Sequence, residues 1–299
     1  MKKSLLVAAL LATAFAAQAQ TTDTLKKIKD TGSVVMGVRS SSGALSYTLG
    51  EGKYAGYHVE LCQRAIDDIG KQLGKHIEVK YQEVTSANRI PLVQNGTVDI
   101  ECGSTTNNEA RAKDVAFAHT AYVEEVRILT KVNSGIKGIA DLNGKSVATT
   151  TGTTSVQLLR KHERATGVDF KEVFGKDHAD SFQLLESGRA DAFVMDGQIV
   201  AGLASKAKTP ADYRIVGEVL SVEPIAIMVR KDDPAFLAAV NKTIDGMFKS
   251  GEIAKLYDKW FMQPIPPTNT TVGLPASEAT KAAWKNPNSN PTESYLAKK

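Results

Sequence analysis

The stretch from Cys102 to Arg111 carries side chains that could bind a free carboxylate. It follows the alternating apolar residues Val98 and Ile100, which predict a buried strand, and it combines a glycine with hydroxyl and amide side chains. Backbone N–H groups, hydroxyls and the planar fork of a guanidinium are the donors that a carboxylate needs. An ordinary polar turn followed by a solvated arginine would have the same sequence. The surrounding elements are therefore needed to distinguish a binding site from an ordinary turn.

The elements around this stretch alternate between strands and helices. In the first half, apolar periodicity predicts strands at 34–38, 77–81 and 98–100, and helices at 25–29, 59–73 and 89–94. The second half repeats the plan, with strands at 146–150, 170–173 and 192–195 and helices at 154–164 and 179–186. Strands that alternate with helices form mostly parallel sheets, so the sequence predicts an α/β fold.

An internal repeat relates the two halves. In each half, a leucine is followed by a glycine and then an aspartate at matching positions, and each glycine is placed to end a helix in a left-handed turn. Two lobes of similar topology follow from this repeat. The matched positions, all 92 residues apart, are Leu92 and Leu184, Gly96 and Gly188, and Asp99 and Asp191.

The repeat also predicts where a ligand binds, because ligands of open α/β sheets bind beyond the carboxyl ends of strands. The same offset aligns Ser104 with Asp196, and it aligns Ser86 with His178. Arg39 directly follows the first predicted strand. We therefore expect these polar side chains to line the two faces of one cleft. Capping of the following helix is the alternative role for Asp196.

Two further features extend this predicted cleft. Arg89 stands at a helix start, where an exposed position would be usual, but its place three residues after Ser86 favours the cleft. The first strand of the second half ends in a threonine-rich turn at 151–154. Segments 125–131 and 224–229 are predicted as extended crossovers between the halves, and two crossovers form a hinge.

Length and composition suggest the overall organisation. Two lysines before an apolar run, followed by an Ala-Gln-Ala site, predict an export signal over 1–19. The remaining chain, about 280 residues, is too long for one core. The formal charge of +4, which falls to +2 without Lys2 and Lys3, gives no support for nucleic-acid binding. The predicted parts are 20–127 and 224–264 for lobe I, 128–223 for lobe II and 265–299 for an extension, which is expected to be loosely ordered apart from a short helix at 277–284.

The cysteines and histidines show little sign of metal or catalytic chemistry. Cys62 lies on the apolar stripe of the predicted helix 59–73, and Cys102 is in phase with Val98 and Ile100. An exported chain meets an oxidising environment, so a disulfide is expected, although two buried thiols would look the same. The five histidines lack ligand spacing, and no nucleophile elbow or phosphate loop is present, so neither metal nor cofactor is expected.

Five segments carry a family resemblance, namely 56–61 (GYHVEL), 101–108 (ECGSTTNN), 151–155 (TGTTS), 176–182 (KDHADSF) and 259–267 (KWFMQPIPP). Together they resemble the family 3 solute-binding proteins of ABC amino-acid importers, in the branch that takes glutamate and aspartate. The resemblance implies an α/β, two-lobed periplasmic-binding-protein fold of type II with two hinge crossovers. His58 departs from the family signature, where an acidic residue is usual, and we expect it to lie away from the cleft.

The resemblance also implies roles for the cleft residues. The α-carboxylate of an amino acid is expected on Arg111, helped by Ser104 and Thr106, and its ammonium on Asp196. A second-lobe helix start is expected to add donors to the α-carboxylate. The helix-start residues are Thr151, Thr153 and Thr154. The side-chain carboxylate of an acidic ligand is expected to bind a separate set of residues, namely Arg39, Ser86, Arg89 and His178.

A charge count gives independent support for an acidic ligand. Arg39, Arg89 and Arg111 face one aspartate, so the predicted cleft has surplus positive charge that an extra anionic group would balance. We therefore expect a periplasmic, monomeric, non-enzymatic protein that binds L-glutamate or L-aspartate and delivers it to an inner-membrane ABC permease. The alternatives are a sensor domain, or an enzyme resembling cyclohexadienyl dehydratase, in which His178 is the sole candidate acid or base.

Overall fold

A computed structural model describes residues 23–296. The predicted export signal at 1–19 lies outside these residues. Within the described range, no helix is long and apolar enough to cross a membrane.

Thirteen strands and ten α-helices form the described part of the chain. The strands are β1 (Ser33–Val38), β2 (Ser41–Ser42), β3 (Ser46–Gly50), β4 (Lys53–Ala55), β5 (Glu78–Glu83), β6 (Ile100–Glu101), β7 (Val115–Phe117), β8 (Tyr122–Lys131), β9 (Ser146–Thr150), β10 (Lys171–Gly175), β11 (Ala192–Asp196), β12 (Tyr213–Ile225) and β13 (Met228–Arg230). The helices are α1 (Thr24–Thr31), α2 (Tyr57–Leu73), α3 (Arg89–Gln94), α4 (Thr154–Thr166), α5 (His178–Glu186), α6 (Gly197–Ser205), α7 (Pro234–Ser250), α8 (Glu252–Tyr257), α9 (Glu278–Lys285) and α10 (Thr292–Leu296).

Two five-stranded sheets form two lobes. The first lobe has the strand order β5-β1-β6-β13-β7, in which β5, β1 and β6 are parallel and β13 runs antiparallel to its neighbours. The second lobe has the order β10-β9-β11-β8-β12, with β10, β9 and β11 parallel and β8 antiparallel to its neighbours. This arrangement confirms the predicted two-lobed α/β fold.

The apolar pattern of the sequence explains how the helices pack on these sheets. In α2, the buried residues Val59, Cys62, Ile66 and Ile69 lie on one stripe that faces the core of the first lobe. The helix ends at Gly74, whose φ of 66° closes the last turn in the left-handed region. The predicted strand at 98–100 is shorter than expected, since β6 begins at Ile100.

The predicted repeat is visible in the backbone of both lobes. The N–H of Val98 donates to the carbonyl of Leu92 at 2.9 Å, and the N–H of Ala190 donates to the carbonyl of Leu184 at the same distance. The intervening glycines have φ angles of 79° and 76°. Both turns therefore end their helix in the same conformation and lead into the next strand in the same way.

The aspartates of the repeat make equivalent hydrogen bonds in different surroundings. Asp99 accepts from the N–H of Val35 at 2.9 Å, and Asp191 accepts from the N–H of Ser146 at 2.8 Å, so each ties its own turn to the first of the parallel strands in its sheet. Asp99 is fully buried and pairs with Lys27 at 2.7 Å, whereas Asp191 is exposed. The same bond therefore serves a core position in one lobe and a surface position in the other.

Two crossovers connect the lobes. Strands β8 and β12 pair antiparallel along most of their length, and the end of β12 also bridges Thr106 through Ile225. The chain then continues into β13 of the first sheet. The predicted residue boundaries at 127 and 223 fall within these two strands and stay predictions, as does the start of the extension at 265.

The short helix expected at 277–284 is present as α9, but the expectation that the rest of the extension is loosely ordered is wrong, because the N–H and the hydroxyl of Thr292 both donate to the carbonyl of Asn107, at 2.9 and 3.0 Å. Thr280 is fully buried, and its hydroxyl bonds both the N–H and the carbonyl of Val123 on β8, at 3.1 and 3.3 Å. The indole N–H of Trp284 donates to the carbonyl of Ala121 at 2.8 Å. The polar residues that suggested a solvated tail are instead partners for the backbone of a crossover strand, which a composition argument does not detect.

Cys62 and Cys102 form a disulfide, with their Cα atoms 6.3 Å apart. Both are fully buried. The bridge joins α2 to the residue that follows β6, at the start of the stretch with which the sequence argument began.

Candidate functional site

The carboxyl ends of the parallel strands in the two lobes face each other across one cleft. The guanidinium of Arg111 in the first lobe donates to the carbonyl of Gly152 in the second lobe at 3.2 Å. Gly152 has a φ of 83°, and a Cβ atom there would come within 2.8 Å of the Cα of Ala87. The close approach of the lobes at this point therefore requires a glycine.

Arg39 lies at the centre of one end of the cleft. It follows β1 directly, is 1% exposed, and donates from Nη2 to the hydroxyl of Ser86 at 3.0 Å and to Nε2 of His178 at 3.2 Å. Burial, and then the charge of Arg89, lowers the pKa of Arg39 to about 10. Its Nη1 has no hydrogen-bond partner among residues 23–296.

His178 begins α5 and is held through both ring nitrogens. Burial and the neighbouring charges of Arg39 and Arg89 lower its pKa well below the ordinary value, so the ring is neutral. Because Nε2 accepts from Arg39, Nδ1 carries the proton and donates to the hydroxyl of Thr150 at 3.0 Å. The ring is therefore fixed in one tautomer, and both nitrogens are engaged.

Arg89 is the first residue of α3, and the alternative of an exposed helix start is wrong. The side chain is 2% exposed, and its Nε and Nη1 lack partners within the described range. Burial lowers the pKa of its guanidinium. With Arg39, it supplies buried N–H donors at this end of the cleft, which we name the Arg39 end (Arg39, Ser86, Arg89, Thr150 and His178).

The other end of the cleft contains Arg111, which has different surroundings. Its Nη1 donates to the carbonyl of Thr106 at 3.0 Å, and its Nη2 donates to Gly152 across the cleft. Burial, and then the charge of Arg89, lowers the pKa of Arg111 to about 9. We name this part the Arg111 end (Thr106, Arg111, Gly152, Thr154 and Glu223).

A buried carboxylate that the sequence argument missed lies at the Arg111 end. Glu223 on β12 is 2% exposed, and its Oε2 accepts from the hydroxyls of Thr106 at 2.7 Å and Thr154 at 2.8 Å. The sole sequence signal is an acidic residue directly before the predicted return segment at 224–229. No repeat partner or motif points to it.

Asp196 ends β11 and faces the arginines. Although it holds the N-cap position of α6, its side chain makes no capping hydrogen bond with any residue that the structure describes, so the capping alternative is not favoured. It is 4% exposed. Burial, and then the charge of Glu223, raises the pKa of Asp196 to about 7, while Arg89 and Arg111 act in the opposite direction.

The remaining predicted residues differ in their placement. Ser104 is buried and donates to the hydroxyl of Ser42 at 3.0 Å. Thr153 is buried, but its hydroxyl donates to the carbonyl of Thr150 within its own turn at 2.7 Å. Thr151 is exposed, so the structure does not bring it together with the buried residues.

Sequence comparison identifies the family to which this arrangement belongs. The profile of the bacterial extracellular solute-binding proteins, family 3, matches residues 34–263. The chain belongs to this family.

Relatives of this family 3 protein include chains that match nearly end to end. An L-glutamate/L-aspartate-binding protein of Pseudomonas aeruginosa is 45% identical over 290 residues, which cover 96% of each chain. A glutamate/aspartate import solute-binding protein of Escherichia coli K12 is 45% identical over 266 residues, covering 89% of this chain and 88% of its own. A solved structure of a mutant of the arginine-binding protein ArgBP from T. maritima has a TM-score of 0.70 at 29% identity, covering 80% of this chain and 99% of that one.

The predicted surplus of positive charge in this family 3 protein is wrong as a count. Glu101 and Glu223 are buried beside the arginines, and their charges act with that of Asp196 on both Arg89 and Arg111. The sequence count omitted them because neither glutamate is aligned with a cleft residue by the repeat, and the segment 101–108 assigns no ligand role to Glu101. The case for an anionic ligand therefore rests on the guanidinium N–H groups and not on net charge.

His58 lies in the starting turn of α2, as expected, but its side chain contacts the turn that carries the predicted site residues. Its ring is fully buried, and Nδ1 donates to the carbonyl of Gly103 at 2.7 Å, directly before Ser104. Burial lowers the pKa of His58 to about 4, so the neutral ring is the donor. The side chain at the start of α2 reaches back to the turn because the disulfide holds α2 and this turn together.

Metal chemistry has little support from the arrangement. Among the residues that the structure describes, no group of three or more histidine, cysteine, aspartate or glutamate side chains is placed to hold a metal ion. The site of this family 3 protein is instead built from guanidinium, hydroxyl and carboxylate groups that suit a small zwitterion.

Proposed function

We propose that this protein binds L-glutamate or L-aspartate between its lobes and delivers it to an ABC permease. The observation that carries this proposal is the pair of buried guanidiniums at the Arg39 end. Arg39 and Arg89 both keep N–H groups without partners in the described part of the chain. A buried donor without an acceptor is costly, so a ligand carboxylate at this position would stabilise both arginines.

The rest of the cleft supports an amino acid as the ligand. The α-carboxylate is proposed to bind the guanidinium of Arg111, the backbone N–H groups of Ser104 and Thr106, and the N-terminus of α4 at Thr153 and Thr154, where helix N–H groups favour an anion. The hydroxyl protons of Ser104, Thr106 and Thr154 already point at Ser42 and Glu223, so backbone N–H groups are the donors left for the ligand. The ammonium is proposed to bind Asp196, whose carboxylate is buried. The side-chain carboxylate is then left for the Arg39 end, as the names of the two 45% identical relatives also favour.

The setting of the protein is proposed on the same basis. The predicted export signal at 1–19 supports a periplasmic location, and the name of the E. coli relative, an import solute-binding protein, supports delivery to an inner-membrane permease. That the protein acts as a monomer stays a prediction. Closure of two lobes on a ligand gives a permease a shape to recognise. Thr151 is left out of the proposed ligand set, because it is exposed.

The alternative of an enzyme is not favoured by the geometry. His178 was the sole candidate for a general acid or base, and both of its ring nitrogens are engaged, by Arg39 and by Thr150. A general base needs a free nitrogen within reach of the substrate proton.

Calorimetric titration of residues 20–299 with glutamate, aspartate, glutamine and arginine tests the proposed function. We expect the two acidic amino acids to bind and the other two to bind at least about 100-fold more weakly, because a neutral amide or a second cation leaves the buried guanidiniums without an anion. A preference for glutamine or arginine would contradict the proposal.

A further inference from the structure

Glu223 joins the two lobes through a pair of threonine hydroxyls. Thr106 follows β6 in the first lobe, and Thr154 begins α4 in the second lobe, yet both donate to the same carboxylate oxygen, at 2.7 and 2.8 Å. Glu223 itself lies on the return crossover β12. It therefore contacts a ligand-binding candidate from each lobe and belongs to the hinge.

The backbone fixes Glu223 in this position. Pro224 accepts from the N–H of Asn107 at 2.9 Å, and Ile225 bridges Thr106, so the end of β12 is bound to the turn that carries Thr106. On its other side, β12 pairs with β8, where Glu223 lies opposite Glu124. The backbone of Glu223 is therefore held at the junction of the two lobes, beside the turn that carries Thr106.

The chemistry of the contact determines how the hydroxyls are oriented. Each threonine has one hydroxyl proton, and both protons point at Glu223. The oxygens of Thr106 and Thr154 are thereby held at set positions on opposite faces of the cleft. A buried carboxylate with two hydroxyl donors is a charge-assisted contact, which is stronger than a bond between neutral groups.

We propose that Glu223 is a positioning residue of the amino-acid site, which aligns Thr106 and Thr154 across the cleft and thereby favours the closed arrangement of the lobes. This inference rests on the proposed function, because it concerns how that site is assembled. Glu223 acts on lobe closure and not on the Arg39 end. Its loss should therefore weaken the binding of glutamate and of aspartate by the same factor.

The test compares Glu223→Ala, Glu223→Gln and Thr154→Val with the wild type by calorimetric titration of both acidic amino acids. We expect Glu223→Ala to weaken the binding of both amino acids about tenfold or more. Glu223→Gln, which keeps an acceptor oxygen, should weaken their binding less than about threefold. The double variant Glu223→Ala with Thr154→Val should be no weaker than Glu223→Ala alone, because the two changes remove one contact. Ser221→Ala, a buried position on the same face of β12, is the matched control and should bind like the wild type.

Each outcome of this test bears on one of the two proposals. Unchanged affinity in Glu223→Ala, additive losses in the double variant, or a changed ratio of glutamate to aspartate affinity would overturn the positioning role. A Glu223→Gln variant as weak as Glu223→Ala would overturn it as well, because charge and not hydroxyl alignment would then matter. The proposed function is decided separately by the wild-type titration, and a wild type that binds neither acidic amino acid would overturn both.

Discussion

The two ends of the cleft satisfy their arginines in different ways. At the Arg111 end, the guanidinium donates to carbonyls of the chain itself, one in each lobe, and a neighbouring glutamate takes the threonine hydroxyls. At the Arg39 end, Arg39 and Arg89 are almost fully buried and retain N–H groups that no other part of residues 23–296 accepts.

This difference suggests a division of roles. Both ends donate across the cleft, through Arg111 to Gly152 and through Arg39 to His178. The Arg39 end also has donors without partners among the described residues, and such an end is suited to discriminate between ligands. Discrimination is strong when a site leaves a buried polar group unpaired with the wrong ligand, and this cost applies at the Arg39 end. Four predictions test this contrast.

The largest effect is expected from Arg111→Ala. This change removes the guanidinium that is proposed to bind the α-carboxylate, a group that every amino acid carries, so affinity for every amino acid should fall by about 100-fold or more. Calorimetric titration with glutamate and aspartate measures the loss. Arg160→Ala removes an arginine from an exposed pair with Glu172 and should leave binding unchanged. Retention of tight binding by Arg111→Ala would remove the contrast between the two ends.

Arg89→Ala should separate the ends by selectivity. We expect roughly 10- to 100-fold weaker binding of glutamate and aspartate, with glutamine affinity unchanged or improved, because Arg89 is proposed to bind the side-chain carboxylate, which glutamine lacks. Arg89→Lys should also bind weakly, since an ammonium lacks the planar fork. Competition titrations with glutamine give the ratio. An equal loss of affinity for acidic and neutral ligands would mean that Arg89, like Arg111, contributes to the binding of every amino acid.

His58→Phe should weaken the Arg111 end through the turn before Ser104. The change keeps an aromatic ring but leaves the carbonyl of Gly103 without its buried donor, which costs about 1–3 kcal/mol of unfolding free energy. Thermal melting and titration should both show the loss, with affinity falling about tenfold. His76→Phe, at an exposed position, is the control. An unchanged melting temperature would mean that the turn does not depend on His58.

The smallest effect is a pH dependence that arises between the two ends, at Asp196. The folded protein holds a proton there up to a pKa of about 7, whereas the unfolded chain releases it near its ordinary value of 3.8. Between these values the folded state binds more protons, so the unfolding free energy should fall as pH rises, by at most about 1.4 kcal/mol per pH unit.

Thermal melting from pH 5 to pH 8 tests this dependence. Asp196→Asn should lose part of the slope while Asp67→Asn, at an exposed position, should keep it. Part of the slope is expected to remain, because burial also raises the pKa of Glu124 well above its ordinary value. A slope that is identical in wild type and Asp196→Asn would show that Asp196 is already ionised in the folded protein.

The sequence was sufficient for the features that repeat. Leu92, Gly96 and Asp99 have counterparts in the second half, so the topology of both lobes and the pairing of Ser86 with His178 across the cleft could be predicted. The burial of Arg89 also followed from that alignment. These features are local or repeated, so they can be predicted from the periodicity of apolar residues or from a fixed offset between the two halves.

The features that escaped prediction depend on contacts between distant segments. Glu223 reaches the cleft because β12 crosses from one lobe to the other, and nothing near it in the sequence records that path. His58 touches Gly103 because a disulfide holds α2 beside the turn. The extension looked solvated because its polar side chains gave no sign that their partners would be the backbone of β8.

The ordered extension gives the protein an optical reporter of its own. The sequence contains two tryptophans. Trp260 bonds Glu60 within the first lobe, whereas the indole of Trp284 donates to the carbonyl of Ala121, one residue before the crossover strand β8. Movement of that strand would change the surroundings of one indole and leave the other in place. The intrinsic fluorescence of the protein should therefore follow the hinge without any attached dye.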